Sequence, residues 1–260
     1  MANYANKHPA VPRILVLTGT DLYRDIQTDA EAVRSLNLAT RLVVLQAAGI
    51  NELDPPYHHK TVIIYQSAPT LAAIPRNPAA RFFDVIMIGH LRSEKDPGTF
   101  MQAAARISTP KVRMTHVGDT LDDALRDQAL ATQASTPCYR WLGNQPHAAT
   151  RQRLKRSDLM VITSQMEGGA NVIIEAVTSG VPVIASDISG NRGMLGDDYA
   201  GYFSLGDSSA LARLIDRAAS DPAFYARLQK QCDARREFFS PQREQAAVLQ
   251  LVDNCMHCPT

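Results

Sequence analysis

Short apolar runs separated by helix-length segments recur along all 260 residues, and this alternation leaves few folds open. A strand that feeds a helix and then a neighbouring strand builds a parallel sheet covered on both faces. The first runs are RILVLT (13–18), RLVVLQ (41–46) and TVIIYQ (61–66). The segment LAAIPRNPAARF (71–82) carries two prolines that interrupt any regular element, so it reads as a linker. A second series begins with FDVIMIG (83–89) and continues with KVRMTHVG (111–118), YRWLG (139–143), DLMVIT (158–163) and VPVIAS (181–186). GYFSL (201–205) suits a short edge strand. Asp96-Pro97 opens a helix with a capping residue and a first-turn proline. From about Ser208 the pattern is helical, broken near Ser240-Pro241, with a last amphipathic stretch to Val252. The expected architecture is α/β, with two doubly wound Rossmann-like halves of unequal size. Residues 1–82 make a partial N-terminal domain, 83–220 a C-terminal domain, and 221–260 helices packing back across both.

Composition narrows what such a fold can bind. With 27 Lys+Arg against 26 Asp+Glu the net charge is +1, so no global field draws the chain to nucleic acid or a membrane. Any bound anion must be met by local groups. The N-terminus lacks the apolar core of a signal peptide, and no apolar run reaches the roughly 20 residues of a membrane span, so a cytoplasmic location is expected. Cys138, Cys232, Cys255 and Cys258 are too scattered for a disulfide framework. The CMHC at 255–258 could be half a metal site, but no second pair lies at zinc-type spacing, so it reads as a plain tail and no metal or cofactor is expected.

In open α/β sheets ligands gather beyond the carboxyl ends of the strands. After VIMIG comes HLRSEKDP, where His90, Arg92 and Lys95 stand before a helix N-terminus that favours an anion. The other reading is an ordinary solvated loop. After DLMVIT comes SQMEGGAN, where Gly168-Gly169 would let a ligand approach the backbone and the next helix offers its amides. A favourable acidic residue at a helix start would explain Glu167 but not Glu175. Glu175 is flanked by Val172, Ile173, Ile174, Ala176 and Val177, in a helix apolar nearly all round. An unpaired carboxylate there would cost several kcal/mol. It needs a partner, and a ligand's hydroxyl pair would serve.

Together, GHLRSEKDPGTFMQAA, HVGD and EGGANVIIEAVTSGVPVIAS resemble the donor half of retaining GT-B glycosyltransferases of the family 4 type, over residues 83–206. That family's signature of two glutamates separated by seven residues is matched by Glu167 and Glu175. LTGTDLYRDI, IYQSA, GHLRSEKDP and LGDDYAGYF further resemble the selenosugar synthase group, which joins selenophosphate to a UDP-activated sugar in selenoneine biosynthesis. The resemblance implies a UDP-sugar donor, hexosyl or N-acetylhexosaminyl, and a small anionic acceptor such as selenophosphate. It places Lys95 on the diphosphate with Gly89 and His90 beside it, and Glu175 on the ribose hydroxyls. Glu167 would hold the sugar with the amides of Gly168, Gly169 and Ala170 and with Asn171. The backbone near Trp141 and Leu142 would meet the uracil edge, and Gly118 would give the nucleotide room. This chain has His90 where the family has an arginine. Either Arg92 takes that role, or the diphosphate is held with less fixed charge.

The expected chemistry is electrostatic: Lys95, Arg92 and helix amides stabilise the leaving UDP. Thr18, Thr20, Asp21 and Arg24 follow the first strand and are acceptor-side candidates, with Arg24 for the acceptor phosphate. In the alternative, Asp21 only caps a helix and Arg24 is solvated. GT-B enzymes begin with a strand, glycine-rich loop and helix that Met1 falls after, so an incomplete first domain is expected, from a misassigned start, a truncated relative or a reduced acceptor domain. The expected function is a selenosugar synthase-like glycosyltransferase. The alternative is a nucleotide-sugar binding module without turnover.

Overall fold

In a computed structural model of the chain, which describes every residue except 75, 78, 121 and 258–260, two separate parallel sheets form. The linker prolines Pro75 and Pro78, and Cys258 of the CMHC tail, lie outside the described residues. The smaller sheet has the order β1-β2-β3, from Ile14–Leu17, Arg41–Val44 and Thr61–Ile63. The larger has the order β6-β5-β4-β7-β8-β9. Its strands are β4 Phe83–Ile88, β5 Val112–Val117, β6 Tyr139–Trp141, β7 Leu159–Ile162, β8 Val183–Ser186 and β9 Tyr202–Phe203. All pairings are parallel, and every strand lies inside one of the apolar runs expected to form it. From β4 the chain builds outward through β5 and β6, then returns to add β7 on the other side of β4. That reversal opens a crevice beyond the carboxyl ends of β4 and β7.

Burial explains why these runs hold as strands. All four residues of β7 and of β8 are buried, as strands covered on both faces require. Fully buried Phe100 packs edge-on against His116 and Tyr139, with ring centroids 6.1 and 6.2 Å away. Phe100 belongs to helix Pro97–Ala104, which opens where expected: Asp96 caps it from a left-handed conformation (φ 42°), accepting from Thr99 N and, at 2.6 Å, from Thr99 Oγ1.

The last helix, Pro241–His257, runs past the expected end at Val252 and returns to the smaller sheet. Its Leu251 and Cys255 pack with Val43, Leu45 and Ile64. Between the strands of the two sheets, residues 64–82 carry no helix or strand among those described.

Glycines bring the two halves into contact. A Cβ on Gly168 would sit 2.3 Å from Gly19 N, and one on Gly169 would sit 2.6 Å from Leu45 Cβ. The glycine pair thus serves the packing of the two halves, although both glycines also line a cavity. Tyr65 adds a hydrogen bond, its hydroxyl donating to Gly193 O at 3.0 Å.

The seam is testable. Gly168→Ala sets a methyl against backbone that no side-chain rotation can relieve, so urea unfolding should show a loss of roughly 1–3 kcal/mol. In Gly193→Ala the first obstacle is the amide end of buried Gln46, which can move only by giving up the hydrogen bond it accepts from Gly49 N, so a loss of similar size is expected.

Candidate functional site

Two neighbouring cavities of about 650 and 330 Å³ open at the carboxyl ends of the strands. Gln66, Lys95 and Asn171 wall both. Gly89, His90, Gly118 and Glu175 line the larger; Thr18, Thr20, Arg92, Glu167, Gly168 and Gly169 line the smaller. The two glutamates of the sequence signature therefore open into different cavities, with Lys95 between them.

Lys95 Nζ donates to Glu167 Oε1 at 2.5 Å, with side chains 22% and 9% exposed. The loops carrying the pair are tied together: Thr163 Oγ1 donates to Lys95 O at 2.7 Å, and Gln165 N to Glu94 O at 2.9 Å. An ion pair this sheltered persists only with fixed geometry, because each charge has lost most of its water.

Glu175 sits on helix Asn171–Thr178, whose Ile173, Ile174, Ala176 and Val177 are buried as expected. Its carboxylate already has protein partners. His147 Nε2 lies 2.7 Å from Oε1, and Arg151 Nε lies 3.9 Å from the same oxygen. Arg151 is held by donating from Nη2 to Pro69 O at 2.9 Å. Both residues come from helix His147–Arg156 and were missed in the sequence. The available signal was their four-residue spacing just after Pro146, which puts both on one helix face.

The first loop shows how its histidine is used. Asp119 N donates to His90 Nδ1 at 3.0 Å, which leaves the ring proton on Nε2 as a neutral donor. Below it, buried His116, quoted in HVGD but given no role there, donates from Nε2 to Gly89 O at 3.0 Å and accepts from Tyr139 at 3.2 Å. Burial pushes the His116 pKa down to about 4.

Several expectations need correction. A Cβ on Gly118 would stand 1.9 Å from Gly89 O, so this glycine makes room first for a crossing loop, although it also walls the larger cavity. Trp141 and Leu142 do not line either cavity. Leu142 N donates to His116 O at 2.9 Å, Leu142 O accepts from Gln145, and Trp141 N donates to Gln133 at 2.9 Å. Asn144 and Gln145 face the larger cavity instead. Ala170 is buried ahead of the helix that starts at Asn171. Among the acceptor-side candidates only Thr18 and Thr20 line the smaller cavity. Asp21 accepts from both Thr18 N and Thr18 Oγ1 at 2.6 Å, and exposed Arg24 pairs with Asp25 at 3.0 Å. Two further wall residues were missed: Ser67 donates to Glu244 Oε2 at 2.5 Å, joining the linker to the last helix beside the larger cavity. Among the described residues no group of three metal-ligating side chains converges, and no helix is long and apolar enough to cross a membrane.

Two parallel-sheet halves with a cleft at their strand ends define a GT-B type α/β protein. The Anabaena protein HepE, crystallised with UDP and glucose, shares this fold with a TM-score of 0.76 at 19% identity, covering 94% of this chain and 72% of that one. The family model for group 1 glycosyl transferases matches residues 75–235, and the chain belongs to that family. It is 29% identical over 157 residues to glycogen synthase of Mycobacterium tuberculosis, covering 57% of this chain and 36% of that protein. It is 27% identical over 150 residues to an Escherichia coli UDP-Gal:alpha-D-GlcNAc-diphosphoundecaprenol alpha-1,3-galactosyltransferase, covering 54% and 37%. The matches thus span little more than a third of these curated relatives.

His116 makes stability pH-dependent. Its folded pKa of about 4 lies below the ordinary 6.5, so the unfolded chain binds the extra proton. Its contribution is full above pH 6.5 and is lost as pH falls toward 4, by on the order of 3 kcal/mol. His116→Gln, which keeps a donor for Gly89 O, should flatten the change in urea-unfolding stability between pH 7 and 5.

Proposed function

We propose that the cleft binds a UDP-sugar and transfers its sugar to a small anionic acceptor. One observation carries this reading: Glu167 and Glu175 open into two cavities that share Lys95 as a wall. The larger cavity suits the nucleotide. Glu175 would accept hydrogen bonds from the ribose hydroxyls, using the oxygen that His147 and Arg151 leave open. Asn144 and Gln145 would meet the base. Lys95, His90 Nε2–H and the helix amides near Asn171 would face the diphosphate. HepE, which shares the fold, binds UDP and glucose, and this supports the donor assignment.

The smaller cavity would hold the sugar and the acceptor. Glu167 and the amides around Gly168 and Gly169 would orient the sugar hydroxyls; Arg92, Thr18 and Thr20 would hold an anion. In the transfer step the anomeric carbon's bond to the diphosphate oxygen breaks, and UDP leaves with the electron pair. Preorganised positive charge on that oxygen is worth about 10²–10³ in rate for each strong donor. The acceptor supplies the electrons for the new bond. With selenophosphate, selenium attacks and a carbon–selenium bond forms. An anionic nucleophile needs positioning more than a general base. The resemblance of LTGTDLYRDI and GHLRSEKDP to selenosugar synthases supports this acceptor. So does the presence of Thr18, Thr20 and Arg92 on one cavity wall.

Two measurements decide the reading. In calorimetry, Glu175→Ala should weaken UDP binding about 10-fold, as expected for hydrogen bonds to a charged group, and should bind 2′-deoxy-UDP no worse than wild type does. Unchanged UDP affinity would sink the donor assignment. Incubation with UDP-N-acetylglucosamine and selenophosphate should release UDP, and Lys95→Ala should slow that release about 100-fold. Saturable UDP binding with no release under these conditions would favour a binding module.

A further inference from the structure

A third cavity of about 700 Å³ lies outside the site described above. It starts at Gln145, which also walls the larger site cavity, and runs to Asp84 and Arg113 near the first residues of β4 and β5. Three elements contribute arginines: Arg113 from β5, Arg140 from β6, and Arg153 and Arg156 from helix His147–Arg156. Four arginines against one aspartate put +3 into one groove of a chain whose total is +1.

Only Arg113 is neutralised. It grips Asp84 through two bonds of 2.6 and 2.7 Å. Among the described residues, Arg140, Arg153 and Arg156 form no salt bridge and donate no side-chain hydrogen bond. Arg153 and Arg156 lie in the last helical turn, where cations complement the helix dipole. Arg140 sits on a strand and has no helix end to serve. Arg140, Arg153 and Arg156 are exposed along the one groove, and their planar forks, without a carboxylate partner among the described residues, match phosphate oxygens.

We propose that this groove is a second anion-binding site that takes a small, multiply charged polyphosphate. Its volume falls in the range of small-ligand pockets, about 300–1,000 Å³. Among the described residues none of the exposed large apolar side chains lines it, so it offers nothing to insert into a lipid surface. Among the described residues no aromatic ring lines it, and Phe82 beside Arg113 is already stacked under that guanidinium at 4.3 Å, so bases of a nucleic acid would find no free ring to stack on.

Tripolyphosphate is the probe, titrated calorimetrically into the full chain at low ionic strength with UDP saturating. One equivalent should bind, with affinity falling as salt rises. The double variant Arg140→Ala/Arg153→Ala should bind it at least about 10-fold more weakly and bind UDP as wild type does. Arg140→Lys/Arg153→Lys, which keeps the charge but loses the forks, should fall between. The proposal is overturned if saturated wild type takes up no tripolyphosphate, or if the alanine variant binds it as tightly as wild type. The arginine comparison is also made without nucleotide, so a failure of UDP to bind would count against the donor-site reading alone.

Discussion

Glu167 is clamped by backbone, and the cleft takes its form from that clamp. On one side Gly168 meets Gly19, where a Cβ would stand 2.3 Å from the amide nitrogen. On the other, Gly190 meets Glu167 itself, where a Cβ would stand 2.0 Å from its carbonyl oxygen. Contacts between main chains cannot be absorbed by changing a rotamer, so the loop after β7 has little freedom relative to the loop after β1. This is why Thr18 and Thr20, from the smaller half, share a cavity with Glu167, from the larger. The same clamp leaves the Glu167 side chain pointing toward Lys95.

Charge in the cleft is sparing, and its placement follows from cost. Lys95 and Glu167 offset each other, so together they add little net field. Removing either would leave an uncompensated and sheltered charge, which is far more costly than losing the pair. The positive field in the cleft then comes from Lys95 where Glu167 does not screen it, from His90 Nε2–H, and from helix amides. Glu175 follows the same logic. Its 14% exposed carboxylate, on a helix with four buried apolar residues, is stabilised by His147 and by an arginine anchored to the linker carbonyl of Pro69. Those contacts reach one oxygen and leave the other without a protein partner among the described residues.

The sheets were legible because a buried parallel strand has a local signature, an unbroken apolar run of strand length. Glu175 stood out for the complementary reason, as one charge in such a run. The glycines were harder. A glycine-rich sequence says that no Cβ is tolerated, but it cannot say what occupies the space. At Gly168 the occupant is Gly19, and at Gly118 it is the Gly89 carbonyl. Trp141 and Leu142 were misplaced because strand pairing decides which amides remain available, and β5 claims the Leu142 amide. The role of His116 within HVGD was not legible because donating to Gly89 O beneath the first loop depends on a partner 27 residues away. Arg24 and Asp21 were drawn to their immediate neighbours, a competition that short polar side chains after a strand often win.

Helix Asn171–Thr178 ties the two cavities into one rigid body. It carries Glu175, and its first residue, Asn171, walls both cavities. Its buried face is locked by Ile173, Ile174, Ala176 and Val177, and its end by Thr178, whose hydroxyl donates to Ile174 O at 2.7 Å. Nucleotide binding and sugar positioning would therefore shift together if this helix moved. Of the groups proposed to meet the acceptor, Arg92 follows β4 of the same sheet, whereas Thr18 and Thr20 belong to the smaller sheet and reach that cavity across the glycine seam. On the proposed reading, a change behind β1 would alter the Thr18 and Thr20 side of the acceptor cavity while leaving the nucleotide's contacts in place. A change in the helix cannot spare either.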